Sequence, residues 1–245
     1  MATPFTLYLP DKKTQITTWE MWARPKMSHH WAPDRSAMEL AKAWFRGPIS
    51  SPPEELVQLL LSSNRLAGLG FLRGIPEFVT SLPERGEGRN HDLWLLGQTD
   101  LEQVTICIEG KADEPFGNKT VAEYGISAMK RRESGKSTRA PERVAKLLTL
   151  VPEGNSRWNN IRYQLLMAIC GTAIQAKRDG SDLAVFVVHE FHTCKTTVDN
   201  INKNAEDFNA FMSVICPSSS PVVAGMLYGP ITVGGVDCLI GKVVK

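Results

Sequence analysis

The chain has few cysteines, and their spacing does not suggest a bound metal or a set of disulfides. There are five of them, an odd number, and no two are separated by only two residues. A structural zinc site and a disulfide framework are therefore both disfavoured. The cysteines are scattered among apolar neighbours, where they act as small hydrophobic residues. This usage is typical of a reducing compartment, so we expect a cytoplasmic protein.

Long apolar runs are also missing from the sequence. The longest ones, such as Leu183 to Val188, are far too short to span a bilayer. The first ten residues lack the basic segment and the apolar segment of a secretory signal. The sequence therefore predicts neither a secreted protein nor a membrane partner.

The chain has little net charge, +2 at neutral pH, so composition alone does not indicate a nucleic-acid binder. The distribution of charge is more informative, because basic residues concentrate between positions 130 and 146. They are Lys130, Arg131, Arg132, Lys136, Arg139, Arg143 and Lys146. Such a segment favours contact with phosphates, but a solvated helix face has the same composition, and both interpretations stay open.

The chain does have enough length for a full hydrophobic core. Its 245 residues can form one large domain, or one core with an extension. Four tryptophans lie within residues 1–48, and we expect these aromatic side chains to anchor an N-terminal extension on a main domain of residues 49–245. Within the extension, Ser36 and Glu39 have the spacing of a capping box and predict the start of a helix.

Hydrophobic periodicity and turn residues predict the other elements. Helices are expected at about 54–64, 120–130, 141–150, 158–177 and 199–214, and strands at about 77–82, 91–96, 103–111, 183–189, 222–227 and 236–243. The glycine-spaced segment 68–74 resembles a nucleotide-binding loop, but it lacks the flanking strand and helix, so we discount it. The order of elements predicts an α/β fold in which a mixed sheet has helices on both faces.

Charged residues at the ends of two neighbouring predicted strands are the strongest functional signal. Glu109 and Lys111 are two residues apart on one strand, so their side chains should share a face, and Asp92 lies on the preceding strand of the hairpin. The carboxylates of Asp92 and Glu109, with the backbone carbonyl of Gly110, would bind Mg²⁺ or Mn²⁺. Lys111 would orient or deprotonate the attacking water. A simple ion pair between Glu109 and Lys111 is the alternative.

A further metal ligand is expected from the segments before these strands. Glu54 or Glu55, at the start of the second predicted helix, would supply it, and Glu55 is the preferred candidate. Glutamates in the first turn of a helix also stabilise the helix dipole, which is the alternative interpretation. Glu77 is another candidate for the same role.

These residues resemble the PD-(D/E)xK nuclease superfamily, which has the restriction-endonuclease-like fold. The resemblance implies an αβββαβ core, with Asp92 as the metal-binding aspartate on the second strand and Glu109 and Lys111 as the (Asp/Glu)-x-Lys motif on the third. His91 stands where the motif has proline. Many members carry a glutamine on the following helix, and Gln164 is the matching residue here. The stretch EGKADEPFG, which begins at Glu109, also resembles a bacterial family of unassigned function that is grouped with this fold.

The resemblance implies a metal-dependent nuclease that hydrolyses the phosphodiester bonds of nucleic acid, with DNA as the expected substrate and Mg²⁺ or Mn²⁺ as the cofactor. A homodimer would be needed for paired cuts, although the sequence has no interface signal. Two alternatives stay open. One is a binding module for nucleic acid or protein that kept the fold without catalysis, and the other is an enzyme that acts on a different phosphate-containing substrate.

Overall fold

The computed structural model describes residues 5–47, 49–152, 155–219 and 221–245. Within these residues the chain forms a mixed sheet of seven strands. The strands are β1 (Thr6–Leu7), β2 (Gly70–Thr80), β3 (Arg89–Gln98), β4 (Gln103–Lys111), β5 (Leu183–Glu190), β6 (Leu227–Val233) and β7 (Val236–Val244). The helices are α1 (Ser36–Ala43), α2 (Glu54–Leu61), α3 (Val121–Glu133), α4 (Ala140–Leu148), α5 (Asn155–Trp158), α6 (Tyr163–Asp179) and α7 (Val198–Ile215).

The strands lie across the sheet in the order β1-β2-β3-β4-β5-β7-β6. β2, β3 and β4 form an antiparallel meander, whereas β5 runs parallel to both β4 and β7. A parallel step requires a crossover connection, and the helices from α3 to α6 provide it between β4 and β5. The predicted α/β fold with a mixed sheet is confirmed.

Helices cover both faces of this sheet, as the sequence predicts. One face packs against α6 and α7, through a cluster that includes Leu165, Ile169, Phe186, Phe208 and Ile240. The other face packs against α1 and α2, through a cluster that includes Leu40, Leu56, Leu93, Ile106 and Val185. β5 is buried along its whole length. A strand with both faces covered has no polar side, which explains the continuous apolar run in its sequence.

Two tryptophans of the N-terminal segment are part of the main core. Trp22 and Trp44 are buried in the same cluster as Leu93 and Ile106. The segment therefore packs on the face of the sheet that carries α1 and α2. Residue 48 lies outside the described residues, and the division of the chain at that residue stays a prediction.

Residues 70–74 of the glycine-spaced segment belong to the sheet, which sequence analysis did not predict. β2 begins at Gly70 and not near residue 77. A Cβ atom on Gly74 would lie 2.6 Å from Leu95 and 2.7 Å from Leu7, so this glycine permits the close approach of β1 and β3. Glycines inside strands often mark such contacts.

Three local predictions are corrected by tertiary contacts. The expected helix at 158–177 is interrupted, because a bridge between Thr120 and Arg162 separates α5 from α6. The N-cap of α1 is Arg35 with no side-chain cap, and Ser36 instead donates a hydrogen bond to Glu114. The strand expected at 222–227 begins only at Leu227, since the N–H groups of residues 222 and 223 donate to the side chains of Asn209 and Tyr228 and not to the backbone of a neighbouring strand.

Candidate active site

An open cleft of about 480 Å³ lies at the edge of the sheet where β3 begins and β4 ends, and the candidate residues meet there. Three neighbouring strands contribute to its lining. β2 provides Glu77, β3 provides Asp92, and β4 provides Glu109, Gly110 and Lys111. Gln164 of α6, Ser36 and Ala37 of α1, and Glu114 after β4 also line it. We call this the acidic cleft.

Glu109 is the centre of a buried network of charges. Its Oε1 accepts hydrogen bonds from Lys111 Nζ at 2.7 Å and from Gln164 Nε2 at 2.6 Å, and its Oε2 accepts one from Arg89. Glu109 and Lys111 are only 2% and 3% exposed. Burial by itself raises the pKa of Glu109, but the charges of Arg89 and Lys111 outweigh it and hold this pKa below its ordinary value. The carboxylate is therefore ionised at neutral pH.

Lys111 stays protonated in the same environment. Burial alone lowers the pKa of a lysine, but Glu109, Glu114 and Asp92 outweigh that effect, and the pKa of Lys111 is raised above its ordinary value. Its ammonium group also lies 5.3 Å from the centre of the Phe116 ring. Lys111 is therefore a fixed positive charge and a hydrogen-bond donor at the edge of the cleft.

Asp92 and Glu77 are carboxyl groups with too little positive charge around them. Asp92 Oδ2 accepts a hydrogen bond from Gly110 N at 2.6 Å. Burial, followed by repulsion from Glu109 and Glu77, nevertheless raises the pKa of Asp92 well above its ordinary value. Burial raises the pKa of Glu77 to about 7, although Asn90 Nδ2 donates to it at 2.6 Å. Both groups would be ionised more easily beside a bound cation.

An irregular backbone aims these side chains at the cleft. Glu77 has a φ of 52°, in the left-handed region that residues other than glycine rarely adopt. Ile75 and Phe78 both pack against Trp94, although regular alternation would place them on opposite faces. The pairing of β2 with β3 keeps its register from Pro76–Leu93 to Phe78–His91, so Glu77 lies opposite Asp92 between these two pairs. Such strained positions cost about 1–3 kcal/mol and are concentrated at functional sites.

The backbone of β4 presents a further oxygen to the same place. Gly110 N donates to Asp92, while the carbonyl of Lys111 accepts from Phe191 N on the opposite side of the strand. The N–H and C=O of one strand residue point to the same side, and the next residue points to the other. The carbonyl of Gly110 therefore points to the β3 side of its strand, the same side on which Gly110 N donates to Asp92.

The charges in and around this cleft do not balance. Four carboxyl groups, those of Glu77, Asp92, Glu109 and Glu114, accompany only two buried cations, Arg89 and Lys111. The neighbouring His91 does not compensate, because burial holds its pKa well below the ordinary value. If all four carboxyl groups are ionised, the excess is two negative charges. One divalent cation would balance it.

The oxygen atoms of the cleft are of the kind that binds a hard cation, although those of Glu109 are already occupied by hydrogen bonds. Carboxylate and carbonyl oxygens are the ligands that Mg²⁺ and Mn²⁺ prefer. One oxygen of Asp92 and one of Glu77 accept no hydrogen bond from the described residues. Both oxygens of Glu109 accept from nitrogen donors, however, and among the described residues no group of three or more His, Cys, Asp or Glu side chains is arranged to hold a metal ion. Glu109 could coordinate a cation through Oε2, in partial exchange for Arg89.

The structure brings most of the predicted site residues together. Asp92, Glu109, Gly110, Lys111 and Gln164 all line the acidic cleft. Glu77, the alternative to a glutamate on α2, lines it as well.

Glu55 does not lie with them. It is held on α2 by Arg46 NH2 at 2.9 Å and by His189 Nε2 at 3.2 Å, and these contacts help to lower its pKa to about 2. Its neighbour Glu54 is exposed and does not line the cleft either. The expected metal ligand on α2 is therefore not brought to this site, and Glu77 takes that place in the geometry.

Sequence reasoning missed Arg89, an important member of the network, whereas it offered Asp113 and Glu114 as an extra metal ligand or as a cap for the next helix. Arg89 contacts Glu109 from the first position of β3, and Glu114 lies after β4, where Ser36 donates to it. Arg89 and His91 share a spacing of two residues, which indicates one face, and both approach Gly171 of α6. Glu114 belongs to the unusual pair of acids after Lys111, and its pKa is raised, chiefly by burial.

Fold and site together define the class of this protein. It is a mixed α/β domain in which a buried Glu-x-Lys motif and two further carboxyl groups, those of Glu77 and Asp92, line one cleft. The chain belongs to the family described as a domain of unknown function, DUF6946, whose model matches residues 12–245. No curated protein and no solved structure gives a significant match to the chain. None of the helices in the described residues is long and apolar enough to cross a membrane.

Proposed function

We propose that this protein is a metal-dependent nuclease of the PD-(D/E)xK type, which hydrolyses phosphodiester bonds of nucleic acid, with DNA as the expected substrate. The observation that supports the proposal is the convergence of Asp92, Glu109, Lys111 and Gln164 in one cleft of about 480 Å³. The sequence alone predicts all four of them as site residues. Chance charged residues on separate elements rarely meet in this way.

The cleft offers oxygen ligands for one divalent cation. Asp92, Glu77, the carbonyl of Gly110 and, after adjustment, Glu109 would hold Mg²⁺ or Mn²⁺. When bound, the cation would lower the pKa of a coordinated water and neutralise charge on the scissile phosphate. Every one of these ligands lies on a strand or at its end, which limits movement of the site.

The protein residues around this position have distinct parts to play. Lys111 is an ammonium group with a raised pKa, so it orients the attacking water and stabilises charge on the phosphate, and it does not act as a base. Gln164 donates to Glu109 Oε1 and leaves its own Oε1 buried without a hydrogen-bond partner. That free acceptor could take a hydrogen bond from a water in the cleft.

The test is a cleavage assay with plasmid, linear duplex and single-stranded DNA and with RNA, in the presence of Mg²⁺, Mn²⁺ or EDTA. Asp92→Asn and Lys111→Met are expected to lower the cleavage rate at least about 100-fold, since each removes a group that acts on the reacting phosphate. Glu54→Gln is the control, because Glu54 is an exposed carboxylate outside the cleft. Cleavage by the wild type that persists in both variants would refute the proposed mechanism.

One observation favours a second candidate, a binding module without catalysis. Glu109 already accepts hydrogen bonds from three nitrogen donors, and such a saturated carboxylate can serve only to hold Arg89 and Lys111 in the fold. In that case the wild type would bind nucleic acid equally well in EDTA and in Mg²⁺ and would cut none of the substrates. The cleavage assay above separates the two candidates.

A further inference from the structure

A second open cleft, of about 520 Å³, lies beside the acidic cleft and has the opposite charge. It is formed by the loop at 83–88, the end of α3, the loop at 134–139 and the start of α4. Five cationic side chains line it: Arg85, Arg131, Lys136, Arg139 and Arg143. We call this the basic cleft. Arg131, Lys136, Arg139 and Arg143 belong to the basic segment noted in the sequence, and the structure joins Arg85 to them.

Most of this positive charge has no counter-charge within the described residues. Arg143 is buried, and its guanidinium donates to three backbone carbonyls, those of Pro83 at 3.1 Å, Glu84 at 3.2 Å and Glu87 at 2.6 Å. It forms no ion pair with a carboxylate of the described chain, and neither do Arg85, Arg131 and Lys136. Arg139 has only the partly exposed Glu142, at 3.6 Å.

Folding alone does not explain such an arrangement. A surface ion pair contributes little to stability, but like charges gathered without partners repel each other. The repulsion is relieved by an anionic ligand. A cleft of this volume with five cations has room for more than one phosphate group, so the ligand chemistry that fits is a chain of phosphates.

The two clefts share a wall. Lys26 lines the acidic cleft, Glu87 lines the basic cleft, and the two side chains form an ion pair. Tyr124 lines the basic cleft and stacks on Tyr163 with ring centres 3.8 Å apart. Tyr163 directly precedes Gln164, which donates to Glu109 in the acidic cleft. A polymer bound in one cleft can therefore continue into the other.

We propose that the basic cleft binds the sugar–phosphate backbone of a nucleic acid, a few nucleotides away from the phosphate that lies in the acidic cleft. The identity of the ligand rests on the proposed nuclease function, whereas the cleft as a phosphate-binding surface does not. Arg131 and Arg139 are exposed and provide direct contacts to phosphates. Arg143 is fixed by backbone carbonyls and supplies a permanent positive charge beneath them.

The test measures binding without cleavage, by fluorescence anisotropy of labelled single-stranded and duplex DNA in EDTA. The double variant Arg131→Gln/Arg139→Gln is compared with Lys177→Gln/Lys203→Gln, which removes the same charge from exposed residues outside both clefts. The arginine variant is expected to raise the Kd about tenfold or more and to lower the slope of log K against log salt by about two. The lysine variant is expected to bind like the wild type.

Several outcomes would overturn the proposal. They are equal affinities of the two double variants, no binding of any oligonucleotide by the wild type, and competition by inorganic phosphate that is as strong as competition by an oligonucleotide. Loss of binding to vesicles of anionic lipid, with DNA binding intact, would assign the cleft to a membrane surface and also overturn it. Circular dichroism of each variant confirms that it is folded.

The design separates this inference from the nuclease proposal. A wild type that binds DNA through Arg131 and Arg139 but never cuts it would refute the nuclease and support the basic cleft. A wild type that cuts DNA while both double variants bind and cut alike would support the nuclease and refute the basic cleft.

Discussion

The acidic cleft and the basic cleft are neighbours, yet their charges come from different kinds of structure. In the acidic cleft most of the charged groups belong to strands of the sheet, and Glu109, Lys111 and Arg89 are buried and paired. In the basic cleft the charges come from loops and helix ends, and Arg131 and Arg139 are exposed and need no partner to be solvated.

Because of this difference, substitutions in the two clefts should affect different properties of the protein. A buried charge must be compensated within the fold, so a change in the acidic cleft should alter the free energy of unfolding as well as activity. An exposed cation is hydrated in the free protein, so a change in the basic cleft should alter affinity and salt dependence with little effect on folding. Each prediction below tests one side of this contrast.

The largest effect is expected from Glu109→Gln. The substitution leaves Arg89 and Lys111 buried without their counter-charge, which should lower the free energy of unfolding by about 3–5 kcal/mol. Cleavage should also fall at least about 100-fold at temperatures where the variant is folded. Urea unfolding monitored by tryptophan fluorescence measures the free energy of unfolding.

Glu142→Gln is the matched control for this substitution. Glu142 also accepts from an arginine, Arg132 at 2.5 Å, but this pair is partly exposed and lies beside the basic cleft, outside its lining. Its removal should leave the free energy of unfolding nearly unchanged. If Glu109→Gln is as stable as Glu142→Gln, the network around Glu109 is not the stabilising element described above.

A divalent cation should stabilise the wild type through the acidic cleft. At a Mg²⁺ or Mn²⁺ concentration about 100 times the Kd, the free energy of unfolding should rise by about 2.7 kcal/mol, and the Tm should rise with it. Asp92→Asn should abolish this gain, whereas Arg131→Gln should keep it in full. An equal gain in the Asp92 variant would show that the cation binds elsewhere. Differential scanning fluorimetry over a series of cation concentrations gives the measurement.

The pH dependence of stability should report on Glu77. Its folded-state pKa of about 7 is above the ordinary value of 4.5, so the stability from this group is present below pH 4.5 and is lost as the pH rises through about 7. In EDTA the wild type should lose about 2 kcal/mol more than Glu77→Gln between pH 5 and pH 8. Urea unfolding at both pH values tests this. Parallel behaviour of the two proteins would show that burial does not raise the pKa of Glu77 in the folded state.

The same contrast explains how much could be predicted from the sequence. The core strands were found because β4 and β5 are apolar runs, and alternation along β4 places Glu109 and Lys111 on one face. Asp92 is predicted to lie near them because its strand pairs with β4 in a hairpin. The mixed sheet followed from the order of the elements, which does not depend on where each element begins or ends.

Other features depend on contacts between distant parts of the chain. The left-handed backbone at Glu77 arises where β2 passes Asp92 of β3, and Arg89 reaches from the start of β3 to Glu109 near the end of β4. No local pattern encodes either feature. The sequence shows the basic segment, but it does not decide whether the segment is a solvated surface or a phosphate-binding one. Arg143 reaches Pro83 across sixty residues, and contacts of this kind join the segment to the loop at 83–88 and so form the cleft.

The smallest effect is expected at the wall between the two clefts, from Glu87→Gln. Glu87 is the only carboxylate among the residues described as lining the basic cleft, and it forms an exposed ion pair with Lys26. Removing its charge makes the basic cleft more positive, so DNA affinity in EDTA should rise about two- to threefold at low salt and return to the wild-type value at high salt. Glu206→Gln, an exposed glutamate on α7 away from both clefts, changes the net charge equally and should not alter the Kd. If both variants bind more tightly by the same factor, net charge controls binding and the basic cleft has no special part in it.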